Sequence, residues 1–181
     1  TIALDCTGAD FLHVFAGGDR DGAGTTVDAI TYAGAALTLQ TTLAGPGGQP
    51  GRYGHKIAPA TGTNNIVVTF SALAVKPMLV AMAFSGVDQT TPWTDLKGIS
   101  TTTTDTTWAC TNAVGMVAGL ALYNNAGLTL TGGTGTTVSP FDLTPVGYAM
   151  ACREAGTGSV TMNATHLNSG VWGQAVSLVA A

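Results

Sequence analysis

Apolar and polar residues along this chain alternate over short runs bounded by glycine, proline and asparagine, and helical periodicity is weak throughout. The abundance of β-branched residues favours short strands separated by turns. Ile2–Cys6 reads as a first strand ended by Gly8, and Phe11–Phe15 alternates before Gly17-Gly18. Val27–Tyr32, the turn Ala33-Gly34 and Ala35–Leu39 form the clearest hairpin. Gly45–Gly51 is a Gly-Pro loop. Arg52–Ile57 and Asn65–Ser71 are the next strands, the second fed by the turn chemistry of Gly62 and Asn64-Asn65. Pro77–Ser85 is apolar on both faces, which predicts a central strand covered by another sheet.

The threonine run Thr101–Thr107 is expected to be extended or to flank a strand. Trp108–Thr111, Val114–Tyr123 and Leu128–Leu130 follow, with Asn124–Gly127 as a turn and 132–137 as a loop. Val146–Arg153, Ser159–Asn163 and Val171–Val179 complete about twelve strand candidates, the spacing of an antiparallel sandwich or barrel. No repeat of roughly 40 residues suggests a propeller. No composition break divides the chain, so residues 1–181 are expected to form one domain.

Composition narrows the role. Hydrophobic residues make up 45% of the chain, ample for a core, while charged residues are only 9%, against roughly 25% in ordinary soluble domains. The surface must be covered by Thr, Ser, Asn, Gln and Gly, or buried against other subunits. The net charge is −4, and Arg20, Arg52, Lys56, Lys76, Lys97 and Arg153 are scattered. That distribution argues against nucleic-acid binding through phosphate neutralisation. No apolar run reaches the ~18 residues of a membrane helix, and no charged segment followed by an apolar one opens the chain as a secretion signal does. Cys6, Cys110 and Cys152 read as small buried hydrophobes, with one disulfide plus one free thiol as the alternative. They lack the close spacing of a metal site.

Two segments carry a resemblance. Thr61-Gly-Thr-Asn-Asn-Ile-Val-Val-Thr-Phe70 is followed by Phe84-Ser-Gly-Val-Asp-Gln-Thr-Thr-Pro-Trp93. Together they resemble a β-sandwich family of phage structural proteins and bacterial surface proteins, in which an ATGTNxVxVTFS strand precedes an SGVDQTTP loop. Phe11–Phe15 sits where that family has an early LLVVxVS strand, and Val27–Thr38 is similar to VxSVTYNGVALT. Val146–Thr157 looks like its penultimate strand and turn, and Ser159–Asn163 with Val171–Leu178 resembles a closing VTMxW…WxxxAVAL pair. Asn163-Ala164 stands where the family often has a Trp, so part of the usual core is altered. The resemblance implies a jelly-roll-like sandwich, as in tail fibres, head decorations and surface proteins. It brings no shared catalytic residues.

Candidate chemistry is sparse. Asp19, Asp21 and Asp28 flank a glycine-rich loop, but the third oxygen ligand and bidentate Glu of a calcium loop do not follow, so a solvated loop is expected and no metal is assigned. His13, His55 and His166 have no mutual spacing and read as surface or interface residues. No GxSxG elbow occurs, and Glu154 is the only glutamate, so no catalytic residue is assigned. Trp172 reads as core. Trp93, in a loop after Pro92, is either an exposed contact or a ring folded over the sandwich edge. Arg52 and Tyr53, beside the Gly-Pro loop, are the next contact pair, since Arg and aromatics dominate interface hot spots.

The expected protein is therefore an antiparallel β-sandwich of jelly-roll type without cofactor or enzymatic activity. Its expected role is to decorate a phage head by bridging subunits of the major capsid protein. A homotrimer would suit three-fold positions, and low charge suits buried interfaces. The alternative is a receptor- or glycan-binding module of a tail fibre or secreted surface protein.

Overall fold

The computed structural model describes residues 1–19, 25–44, 50–101, 105–123, 131–132, 137–142, 148–165 and 171–181. Among them the chain forms strands and no helix. The strands are β1 (Ile2–Asp5), β2 (Phe11–Asp19), β3 (Val27–Tyr32), β4 (Ala35–Ala36), β5 (Thr38–Ala44), β6 (Pro50–Ile57) and β7 (Thr63–Phe70). They continue as β8 (Val75–Phe84), β9 (Trp93–Thr101), β10 (Asp105–Tyr123), β11 (Thr131–Gly132), β12 (Thr137–Asp142), β13 (Tyr148–Thr165) and β14 (Val171–Leu178). All pairings among them are antiparallel. The expected all-β, sandwich-like architecture is observed, built from three sheets. The first has the order β1-β7-β3-β4, the second β5-β6-β2-β8, and the third β11-β13-β10-β14-β9 with β12 also on β13.

Strand period explains how the layers stack, because alternate side chains leave opposite faces. On β2, Leu12, Val14 and Ala16 join Val27, Ile30, Tyr32 and Ile66 in one core, between the first and second sheets. Phe11, one residue out of phase, packs instead with Val87, Ala118, Val176 and Leu178, between the second and third sheets. The second sheet is thus the middle layer, covered on both faces. Residues 11–18 are buried without a break, so β2 is the central strand. The same phase split appears on β8, where Leu79, Ala81 and Ala83 face the first core and Met82 and Phe84 the second. Its two-faced apolar character is thereby explained, but the expected central position is corrected. Among the described strands, β8 lies at the end of its sheet and pairs with β2.

The hairpin of β3 and β4 turns through Ala33 (φ 50°) and Gly34 (φ 77°), the left-handed pair a two-residue turn requires. The predicted second arm, Ala35–Leu39, is split. Leu37 buries its side chain in the first core with its N–H on the Ile30 carbonyl, and the chain crosses to the middle sheet as β5.

Two further pairs of predicted strands are each one long strand. Trp108–Thr111 and Val114–Tyr123 are both in β10, and Ser159–Asn163 continues β13 from its first half. The β10–β13 ladder bends, rather than breaks, at a bulge between Cys110 and Ala113. Opposite the bulge the partner strand runs from Val160 to Gly158, which takes a left-handed φ of 75°. Two residues further on, Gly156 pairs with Gly115, and a Cβ there would lie 2.7 Å from Val160 Cγ2. Beyond the bend this arm crosses the outer face of the third sheet. β10 meets β9 although β14 separates them in the sheet. Val117 and Ser177, on that outer face, are fully buried, and Cys110 and Val160 are buried on the arm.

The loops at 20–24 and 45–49, the turn at 124–127, the strand expected over 128–130 and His166 lie outside the described residues, as do the side chains of Trp108, Cys152 and Trp172. No described helix is long and apolar enough to cross a membrane.

Candidate functional site

The Ser85–Pro92 connection sets the position of Trp93. Asp88 Oδ1 accepts the N–H groups of Thr90 and Thr91, each at 2.7 Å, an Asx turn that also holds the Asp88 carboxyl below its usual range. The loop is tied to the C-terminal end of the chain. Asp88 N–H donates to the Val179 carbonyl, Val179 N–H donates to the Pro92 carbonyl, and Val87 bridges Ala180. Trp93 therefore enters β9 opposite Leu178 with its ring toward the middle sheet, half-buried.

β6 delivers alternate side chains to the two interlayer spaces. Arg52 faces the first sheet, where Nη1 donates to the Val27 carbonyl at 3.0 Å and Nε to the Gln40 carbonyl at 3.3 Å. Tyr53 faces the third sheet and is fully buried. The expectation that Arg52 and Tyr53 form a surface contact pair is corrected accordingly. They leave opposite faces of one strand, the guanidinium ties the middle sheet to the first, and the phenol is closed off from any partner in the folded chain.

Tyr53 belongs instead to a run of rings between the second and third sheets. His13 on β2 stands directly opposite His55 on β6. The His13 ring meets Tyr53 edge-on at 4.5 Å, and the His55 ring meets Trp93 edge-on at 4.4 Å. Phe11 stacks on His55 at 5.9 Å and 20° and lies 5.9 Å from Trp93. His13 is fully buried and His55 is 4% exposed. Both lie inside the fold, which corrects the expectation that they are surface or interface residues. A period-2 strand puts position 13 in phase with Phe11 and Phe15, a phase that the third sheet covers.

Burial sets the electrostatics of this cluster. Desolvation, with a smaller contribution from the facing His55, lowers the His13 pKa to about 3, and desolvation lowers that of His55 to about 4. Both imidazoles are neutral at pH 7. Desolvation also raises the Tyr53 phenol, which stays protonated. His55 Nδ1 lies 3.5 Å from the Gln40 amide nitrogen. Both ring nitrogens of His13, the Tyr53 hydroxyl and Gln174 Oε1 on β14 are buried without a protein hydrogen-bond partner. Removing such an orphan is nearly free, whereas removing one member of a satisfied pair is not. Tyr53→Phe is accordingly expected to leave stability unchanged or raise it by about 1 kcal/mol, read from the urea midpoint. A loss of more than about 1 kcal/mol would show that the hydroxyl is satisfied after all.

A second polar group lies under the arm of the third sheet. Lys97 Nζ is 3.2 Å from Asp95 Oδ1, and the pair lies near Cys110. Desolvation, helped by the Asp95 charge and opposed by Lys97, pushes the Cys110 thiol up to about 11, so it is not a nucleophile at neutral pH. Cys6 and Cys110 are both free thiols and buried. Asp28 accepts from the Thr26 hydroxyl at 2.7 Å.

No protein-family model matches the chain, and neither a curated protein nor a solved structure matches it. The ring cluster is a packed, desolvated seam between two layers, with no charged side chain among its members.

Proposed function

We propose that this chain is a structural protein of a phage particle, decorating the head by bridging subunits of the major capsid protein as a homotrimer. The observation that carries this reading is an open apolar groove of about 570 Å³ beside the ends of β1, β7 and β8. Ile2, Val68, Phe70, Leu73, Pro77 and Leu79 are among its lining residues, and Leu73 is 86% exposed. An exposed leucine beside an apolar groove, on a chain with 9% charged residues, suits a contact covered in an assembly. The stacked sheets supply a stiff body for such a contact. The sequence resemblance to phage decoration and surface proteins points the same way. The role is mechanical rather than enzymatic.

Glycan binding through Trp93 has less support, because that ring packs on His55 and Phe11 rather than presenting a free platform. Quantitative mass spectrometry of purified particles from the parent source tests the proposal. Copy number comparable to the major capsid protein is expected. A few copies per particle would move the protein to a tail or vertex and revive receptor binding. Absence from particles would overturn the virion role.

A further inference from the structure

The three layers come from two contiguous stretches of chain. β1 to β8 build the first and second sheets, and β9 to β14 build the third. The first eight strands close a two-sheet sandwich with its own core. The third sheet is joined to it through the Ser85–Pro92 connection and lies on the open face of the middle sheet. That seam contains every described side-chain atom that is buried without a hydrogen-bond partner: His13 Nδ1 and Nε2, Tyr53 Oη and Gln174 Oε1. The core between the first and second sheets has none among the described residues.

We propose that the seam between the middle and third sheets is an acid-operated joint, at which protonation of His13 and His55 releases the third sheet from an intact two-sheet sandwich. The surroundings of the two rings carry the argument. From β6 the described neighbours are Tyr53 and His55 itself, from β9 Trp93, from β5 the Gln40 amide, and Phe11 lies beside them on β2. Met82 and Phe84 from β8 and Ala118 from β10 are apolar, and Gln174 shares its strand face with Val176 and Leu178. Arg52 and Lys56 leave the other face of β6, where they bond carbonyls of the first sheet and its β4 hairpin. Asp95 and Lys97 leave the other face of β9, under the arm. No described carboxylate faces either imidazole.

A proton on His13 therefore enters a desolvated site without a counter-charge, directly across the strand pair from a second imidazole. The two cations repel, so the second protonation favours opening further. Gln40 can turn its amide oxygen toward a charged His55, whereas His13 has no such partner, which makes His13 the controlling group. The depressed basicity of both rings agrees with this geometry. Separation lets both imidazolium ions reach water while the first core stays closed.

The chain carries its own reporter, because Trp93, Trp108 and Trp172 all belong to the third-sheet stretch. The full chain is taken from pH 7.5 to 3.5 and followed by tryptophan emission and by hydrogen exchange, corrected for the intrinsic pH dependence of exchange. Between about pH 6.5 and 4, the emission is expected to shift to the red. Peptides from β9 and β14 are expected to lose protection at a higher pH than peptides from β3 and β7. A His13→Phe, His55→Phe double variant is expected to move this opening at least about one pH unit lower. Simultaneous loss of protection in both sets of peptides would overturn the proposal, as would an unchanged midpoint in the double variant. If the double variant does not fold, the wild-type comparison of the two peptide sets and the single His13→Phe variant decide the matter. Both readouts are independent of any role in a particle.

Discussion

Phe11→Ala is expected to cost about 4 kcal/mol of folding stability, the middle of the range for removing a buried phenylalanine ring. The ring is fully buried and joins the middle sheet to the third. It stands between Ile57 and Phe84 on the neighbouring strands, stacks on His55, and packs against Val87, Ala118, Val176 and Leu178. Truncation leaves a cavity lined by residues from several strands, which cannot collapse together without moving a sheet. Leu73→Ala is the matched control, because Leu73 is 86% exposed and its truncation should change stability by no more than about 0.5 kcal/mol. Urea unfolding of both variants at pH 7.5 gives the comparison. A loss below about 1.5 kcal/mol for Phe11→Ala would mean that the third sheet does not rest on this ring.

Much of the strand layout could be read from the sequence, because short alternating runs and turn residues are local signals. The β3–β4 turn at Ala33-Gly34 and the β7 strand after Asn64-Asn65 are examples. The third layer was not legible. A strand covered on both faces and a strand covered on one differ only in what lies across the second face, which is a long-range fact. Phe11-Leu-His-Val-Phe15 reads as alternation, with His13 at an apolar phase, and that single polar residue in an apolar stripe was the available hint. Position 55 offered less, since β6 alternates Tyr53 and His55 with Arg52, Gly54 and Lys56 and suggests a solvated face. The structure reverses that inference, because Arg52 and Lys56 end on backbone carbonyls of the first sheet and its β4 hairpin. Trp93 was legible as the end of a loop, and its seat on His55 was not. Likewise, glycine and threonine around Gly156 suggested a strand end. A bend in a continuing ladder uses the same residues, and only the partner strand distinguishes the two.

Acidification supplies the second large effect, and its sign follows from where the protons bind. In the unfolded chain both histidines titrate at about 6.5. In the folded chain burial lowers His13 to about 3 and His55 to about 4. Above pH 6.5 neither state takes up the protons, so these groups leave stability unchanged. Below it the unfolded state binds protons that the folded state refuses, and stability falls with pH. At pH 5 each histidine lies about 1.5 pH units below its unfolded value, which corresponds to about 2 kcal/mol per group and about 4 kcal/mol together. That is a large share of the roughly 5–15 kcal/mol that holds ordinary domains folded. Near pH 4 the His55 contribution stops growing, and His13 continues to act down to about pH 3. Asp5 and Asp88 act in a lower window. Their carboxyls, held below the usual range by the hydroxyl and N–H of Thr7 and by the N–H groups of Thr91 and Thr90, stabilise the fold above their unfolded values near 3.8. That contribution is lost as pH falls through the folded values. Urea unfolding should therefore give a free energy that is level from pH 8 to 7 and falls steeply from 6.5 to 5. The His13→Phe variant should remove about half of that slope and, below pH 4, keep only the loss that comes from Asp5 and Asp88. A level profile between pH 7 and 5 would mean that His13 and His55 find a compensating partner when charged, and would remove the electrostatic basis of the joint.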